Sequence, residues 1–500
     1  MNRSLRWLAC GLCVACGASG EPAGSAGSGG QAGMTASAGI GGTSIGGTGS
    51  GGPSVAGSNN PLAGTGGQAG ATAGADTGGD PGESAGSPPN SNDGGSRPVV
   101  ITGLEKTDPY PASVYPQENP YSAEKALLGK ILFWEEQLSS RDTHACGTCH
   151  RPGAGGSDPR SVSSVSLGAG HNGIFGDADD ARGSQGVVRC DSAGAPKADP
   201  VYGLNVQVTP RKAPSALDAG LFDTLFWDGR ATTTFINPVT GEVAIESGGA
   251  LESQAAGPPV SSVEMSCEGY DWTAIESKLA GAKPLKLTRQ IPAAMAQAIS
   301  EHPTYPSLFE WVYKTPGVTA ERILFAIATY ERELRSDQTP WDRFNAGDSD
   351  ALTPGQQAGL AVFNVKARCA KCHVPPRFSD NRFHNIGAQA SELDPGRSSI
   401  SGDPADIGKM KTAGLRNVGL RAASGLLHYG TGNAATLRSV LDVYRQGGVE
   451  HDHTDPDILP MNVPDYEFEQ LLDFLQNGLT DPRAAAELPP FDRPRLASEP

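Results

Sequence analysis

The 500-residue sequence is short of positive charge, of aromatic side chains and of long apolar runs. Lysine and arginine together number 39 against 55 acidic residues, a net charge of −16. That balance argues against a nucleic-acid binder, which would show a basic patch. It suits a soluble partner with a basic face, drawn in by long-range attraction. The apolar run from Trp7 to Cys16, behind Arg3 and Arg6, is too short to span a bilayer, and no other segment is long and apolar enough. Arginines, a short apolar run and then small residues form the pattern of an export signal. Alternation at a period of two is scarce, which argues against a fold built on sheets.

Residues 1–16 are thus expected to be an export signal. Its end, Val14-Ala15-Cys16-Gly17, resembles a bacterial lipoprotein signal in which the cysteine carries the lipid. Cys10 is a second candidate, and Cys13 stands where leucine is usual. Residues 17–98 hold 27 of the 66 glycines, with Ser, Ala, Thr and Pro filling most of the remainder. Such a stretch has too little apolar surface to offset the entropy of ordering it. It reads as a disordered tether for a body that is periplasmic, or anchored at the outer membrane through its N-terminal lipid alone.

There are nine cysteines, three of them in the signal. Four more form two copies of one motif, Cys146-Gly-Thr-Cys149-His150 and Cys369-Ala-Lys-Cys372-His373. Cys-x-x-Cys-His is the attachment site of c-type haem: two thiols add to the two vinyl groups of one porphyrin, and the adjacent histidine ligates the iron. A redox dithiol or half a zinc site is the alternative for a single copy. Zinc sites leave roughly 15 to 20 residues between cysteine pairs, far fewer than separate these two. Covalent haem attachment also belongs outside the cytoplasm, where an exported chain goes. Two covalently bound haem c groups are therefore expected. Cys190 and Cys267 remain, and an oxidising compartment favours a disulfide between them over two thiols.

The body reads as helices joined by long loops. Ser122 is placed to cap a helix carrying Leu127, Leu128, Ile131 and Leu132, and Thr319 one carrying Ile323, Ile327, Tyr330 and Leu334. Thr353-Pro354 supplies a cap and a first-turn proline ahead of Leu360 and Phe363. Asp465 opens a last helix with Phe468, Leu471, Leu472 and Leu475. The expected fold class is all-α, with two cytochrome c-type haem domains at 99–334 and 335–490, and residues 491–500 as a tail.

With these elements placed, nearly all of residues 105–485 resembles the bacterial di-haem cytochrome c peroxidases and their MauG-like relatives. Leu128-Gly129-Lys130, Leu132-Phe133 and Leu138-Ser139 carry the likeness before the first haem motif. Arg211 to Ser215, Leu225 to Arg230 (LFWDGR), Gln254-Ala255 and Val263-Glu264-Met265 continue it. Phe378-Ser379-Asp380, Phe383-His384-Asn385 and Leu415 to Val418 follow the second motif. The resemblance implies that Trp227 lies between the haems and that Gln254 and Glu264 line the peroxide face of the N-terminal one. An extra stretch around Thr234 to Gly249 separates them from Trp227. The chemistry suits those roles, since a carboxylate moves a proton between the peroxide oxygens while a neutral amide orients them.

The sixth ligands are less determined. The family's peroxidases place a methionine on the second haem, and here that position is Tyr444, as in MauG-like members. Met410 and Met461 are weaker candidates, and His428 falls near by. For the first haem, His171 is a candidate switchable ligand, followed by an insertion around Gly176 to Ala198. The family's inter-domain calcium site has an asparagine where Lys212 stands, and Arg421 falls near another ligand position. A cation there would repel the ion, so calcium is not assumed.

The reading that follows is an exported enzyme, a di-haem c-type oxidoreductase. It reduces hydrogen peroxide with electrons from a small redox protein such as a cytochrome c or a cupredoxin. A MauG-like enzyme using peroxide-derived high-valent haem to oxidise a protein or small molecule is the alternative. A non-catalytic di-haem electron carrier is the alternative of another class.

Overall fold

The computed structural model describes residues 107–499 apart from 171, 177–179, 389–392, 423–435 and 450–451. The signal, the tether, His171 and His428 lie outside the described residues. Helices dominate, joined by long loops. Among the described residues there are also four two-stranded antiparallel sheets, whose strands run for two to four residues. The fold is therefore helix-rich with small sheet additions, rather than strictly all-α. One addition pairs Gln185–Val188 with Val206–Val208, where β-branched residues recur in the insertions. No helix among the described residues is long and apolar enough to cross a membrane.

The helix Ala123–Phe133 starts where Ser122 accepts a hydrogen bond from the Lys125 N–H, with Glu124 in its first turn and Lys130 in its last. Its buried face is Leu128, Ile131 and Leu132, all 0 % exposed. It packs on the helix Ala320–Glu331, which Thr319 caps. Gly129 permits that approach, because a Cβ there would lie 1.8 Å from the Ala326 carbonyl oxygen. The same device recurs in the C-terminal half. The helix Pro354–Ala361, capped by Thr353, packs on Asp465–Asp473, and a Cβ on Gly359 would lie 2.0 Å from the Gln470 carbonyl oxygen. Each haem motif thus follows a helix whose glycine presses against a partner helix.

Two apolar clusters result. One gathers Ile131, Phe133, Ile275, Phe309, Ile323 and Leu324, and the other Trp341, Phe363, Phe378, Phe468 and Phe474. Each such side chain, fully buried, contributes about 1.5–3 kcal/mol. Within the stretch expected as a tail, Phe491 and Leu496 are buried in the first cluster, against helices more than 150 residues earlier in the chain. Nor is the Asp465 helix the last, since a single turn, Pro482–Ala485, follows it and buries Ala484 in that same cluster. Cys190 and Cys267 are disulfide-bonded to each other.

Candidate di-haem active site

Cys146, Cys149 and His150 line one cavity, and Cys369, Cys372 and His373 line a second. In each motif the chain makes a single tight turn, and the histidine N–H returns to the carbonyl of the first cysteine. His150 Nδ1 lies 3.1 Å from the Gly156 carbonyl oxygen, and His373 Nδ1 lies 3.0 Å from that of Phe378. A carbonyl only accepts, so Nδ1 donates in both rings and Nε2 keeps its lone pair. Burial lowers both imidazole pKa values and keeps the rings neutral. Burial likewise pushes the Cys146 and Cys369 thiols up to about 12. Paired thiols at one wall of an apolar cavity, beside a neutral imidazole with its second nitrogen fixed, suit a covalently attached haem.

Trp227 lines both cavities and the smaller one between them. Its loop is held from several sides. Arg211 bridges Asp228 at 2.6 Å and Asp394 at 2.6 Å, and Arg397 donates to the carbonyls of Asp228 and Gly229. The indole N–H donates to the Lys212 carbonyl at 2.8 Å. Phe226, just before, sits at φ +66, a region that disfavours side chains, with the Arg230 guanidinium 3.5 Å above its ring. The RKAPS and LFWDGR segments thus fold into one clamp around the tryptophan.

Gln254 and Glu264 both line the first haem cavity. Gln254 stands on the helix Ala250–Ala255, anchored by Glu252, which is 0 % exposed and bonds Arg332 and Asn119. Glu264 lies in a loop pinned at Ser261, at Val263 (whose carbonyl accepts from the Val187 N–H) and at the Cys190–Cys267 disulfide. Desolvation by burial raises its pKa, with Arg230 opposing. The structure therefore brings together Cys146, Cys149, His150, Trp227, Gln254 and Glu264 around one space.

Tyr444, Met410 and Met461 all line the second haem cavity. Tyr444 belongs to the helix Leu437–Gln446, capped by Thr436, and burial holds its phenol well above the usual range. Met410 packs with Trp227, and Met461 packs in the C-terminal apolar cluster. Lys212 is 3 % exposed and its pKa falls to about 7, through burial first and the Arg421 charge second.

Sequence reasoning missed Glu331, which lines the first cavity and whose pKa burial raises to about 8. It ends a helix so apolar that its charge passes for a solvated terminus. His384 was read only as part of a family motif: its ring lies 2.5 Å from Asp455 and 2.8 Å from Asp380, in the second cavity wall. Asp380 is four residues away and readable as a pair; Asp455 is not.

Two Cys-x-x-Cys-His turns, a tryptophan shared by both cavities and an acid–amide pair lining the first fit a di-haem c-type oxidoreductase. The family model described as "Di-haem cytochrome c peroxidase" matches residues 123–350. The chain is 27 % identical over 376 residues to the Methylamine utilization protein MauG of Methylophilus methylotrophus, covering 75 % of this chain and 87 % of that protein. It is 25 % identical over 400 residues to the Cytochrome-c peroxidase IdrP1 of Pseudomonas sp. (strain SCT), covering 74 % and 84 %. Among solved structures, a MauG-like protein associated with microbial copper homeostasis superposes with a TM-score of 0.54 at 23 % identity, covering 78 % of this chain and 98 % of that one. Over about three quarters of its length the chain is thus similar to MauG and to the di-haem cytochrome c peroxidases.

Proposed function

We propose that this enzyme reduces hydrogen peroxide in the first haem cavity with electrons delivered through the second. The observation that carries the reading is the convergence of Gln254 and Glu264 on the cavity of Cys146, Cys149 and His150, more than 100 residues away in sequence. Haem c held at the two motifs supplies the one-electron steps by which peroxide takes up two electrons and two protons to give two waters. Glu264 takes the proton from one peroxide oxygen and returns it to the other, and its raised pKa brings that exchange closer to neutral pH. Gln254 orients the peroxide by its amide without adding charge. Trp227 conducts between the cavities it lines, and the donor is a small cytochrome c or cupredoxin.

A MauG-like reading shares this site. In it the chain holds two oxidising equivalents from peroxide and draws electrons from a protein or small molecule. The place of Tyr444 in the wall of the second haem cavity favours it, because a phenolate ligand would stabilise oxidised iron better than a thioether does. Titration of the fully oxidised holo-protein with peroxide, repeated after one-electron reduction, separates the two. A direct absorption change of the oxidised protein supports the MauG-like reading. Reaction only after half-reduction supports the peroxidase with a blocked resting haem, for which His171 is our candidate ligand. No reaction in either state leaves an electron carrier.

We further infer export, with residues 1–16 as signal, 17–98 as tether and Cys16 as lipid anchor; the Cys190–Cys267 bond suits the same oxidising compartment. Two haem domains, 99–334 and 335–490, follow. Calcium is not assumed in this reading, since the buried Lys212 stands where the family's site has an asparagine.

A further inference from the structure

We propose that Glu331 carries protons from the cavity between the two haem sites to the peroxide site of the first, as a relay distinct from Glu264. The proposal rests on the peroxide-reducing reading above and deepens it. Reduction of one peroxide consumes two electrons and two protons. Glu264 moves a proton from one peroxide oxygen to the other and adds none, so the protons that end in water must enter the first cavity from elsewhere. Glu331 stands at such an entry. It closes the helix Ala320–Glu331 and lines both the cavity of Cys146, Cys149 and His150 and the smaller middle one. Gln254 lines the same two spaces, and Glu264 lines the first. The middle cavity runs on to Phe222 and Arg377, both half-buried, so it reaches side chains that touch solvent. One carboxyl group thus borders the peroxide site on one side and a route toward solvent on the other.

Its bonding sets it apart from other buried acids of the same half. Glu135 accepts from the Gln137 and Leu285 N–H groups and from the Tyr305 hydroxyl. Glu136 accepts from the N–H groups of Ala497 and Ser498, and Glu252 from Arg332 and Asn119. Glu331 is 5 % exposed, and its Oε2 is buried with no hydrogen-bond partner among the described residues. An ionised carboxylate is costly to bury without such partners, so this one favours its neutral form. Burial lifts its pKa to about 8, with Arg332 opposing and Glu252 adding, and those two charges are bound to each other. Arg230 and Glu264 share the first cavity with it, and Asp218, Lys411, Arg416 and Arg421 the middle one, but burial outweighs them all. At neutral pH the group is therefore mostly a neutral acid that still ionises readily, as a proton carrier must.

The step balances. The O–H bond of the Glu331 carboxyl breaks as its proton passes through water in the first cavity toward Glu264 and the peroxide oxygens. The carboxylate then takes a proton from water on the side of the middle cavity and is a neutral acid again. Two such cycles bring the two protons that one peroxide consumes. The electrons come from the donor protein, and Glu331 is unchanged at the end.

The test uses the full-length holo-protein and the variants Glu331→Gln and Glu331→Asp. The alkaline pyridine haemochrome spectrum counts haems, and infrared difference spectroscopy reads the stretch of a protonated carboxyl, which deuterium oxide shifts. In the unaltered protein that band should fade as pH rises past about 8, and it should bleach and recover during peroxide turnover. Glu331→Gln should lack the band, keep two haems with the parent's spectra, and turn over about 10²-fold more slowly. Its solvent isotope effect should grow, because proton supply then limits the rate. Glu331→Asp, which keeps a carboxyl, should restore most of the loss. A carboxyl with a merely structural role would move neither the isotope effect nor the band during turnover. Parental turnover and isotope effect in Glu331→Gln overturn the proposal, and so does a band that never bleaches. If Glu331→Gln fails to fold, Glu331→Asp decides: the bleaching band must move in frequency with that substitution, and a band indifferent to it overturns the relay. An unaltered holo-protein that reduces no peroxide refutes the peroxide-reducing reading itself, and the relay with it.

Discussion

Glu252 and Arg332 face each other in a two-point ion pair at 2.8 and 2.9 Å, with side chains 0 % and 2 % exposed. The pair ties the helix bearing Gln254 to the end of the helix bearing Glu331, and Asn119 extends it by linking Glu252 to Lys125. Removing one partner strands the other charge in the core. Glu252→Ala is therefore expected to destabilise the protein by about 3–5 kcal/mol. It should also slow peroxide turnover through Gln254, which loses its footing. Denaturation and turnover measured on the same preparation check both effects; unchanged stability would mean the pair is structurally idle.

Glu264→Gln keeps the shape of the side chain and removes its proton chemistry. Peroxide turnover should fall by about 10²–10⁴-fold while both haem spectra stay as they were. In the unaltered protein, turnover limited by the ionised form should rise with pH through a value above the ordinary carboxylate range, because burial raises the Glu264 pKa. A variant as active as its parent would leave only electron carriage.

Glu331 sets a pH dependence of stability. Its folded pKa of about 8 lies above the unfolded value of 4.5, so the folded state holds a proton that the unfolded state releases between them. The stabilisation is complete below pH 4.5 and is lost as pH rises toward 8, at up to about 1.4 kcal/mol per pH unit from this one group. Glu331→Gln should flatten that decline. Urea denaturation at several pH values, comparing the two proteins, measures it.

Tyr444 and Met410 are separable by spectroscopy. If the phenol ligates the second haem, Tyr444→Phe shifts the absorption of that haem and raises its potential, while Met410→Leu leaves the ligand-dependent bands in place. The reverse pattern would assign the ligand to Met410 and weaken the MauG-like reading.

The Cys190–Cys267 bond lies three residues from Glu264, at the far end of its loop. Cys267→Ser is expected to cost about 2–5 kcal/mol of stability. Turnover should drop further than that loss explains at temperatures where the chain stays folded, because Glu264 gains freedom. Adding a reductant to the unaltered protein should mimic it.

The sequence by itself determined the parts whose chemistry is local. Two cysteines and a histidine within five residues form a motif readable without the fold, and Ser122, Thr319 and Thr353 cap helices because the bonds they make span three residues. The likeness of short motifs singled out Trp227, Gln254 and Glu264, and all three line the cavity of Cys146, Cys149 and His150. Only the tertiary structure decided what depends on distant chain meeting in space. It closed Phe491 and Leu496 into the first core, set Asp455 beside His384, joined Arg211 to Asp394 across the Trp227 loop, and gathered Lys411 and Arg421 between the haem cavities. Burial and the summed field of neighbours govern those groups, and neither quantity exists along a chain until it has folded.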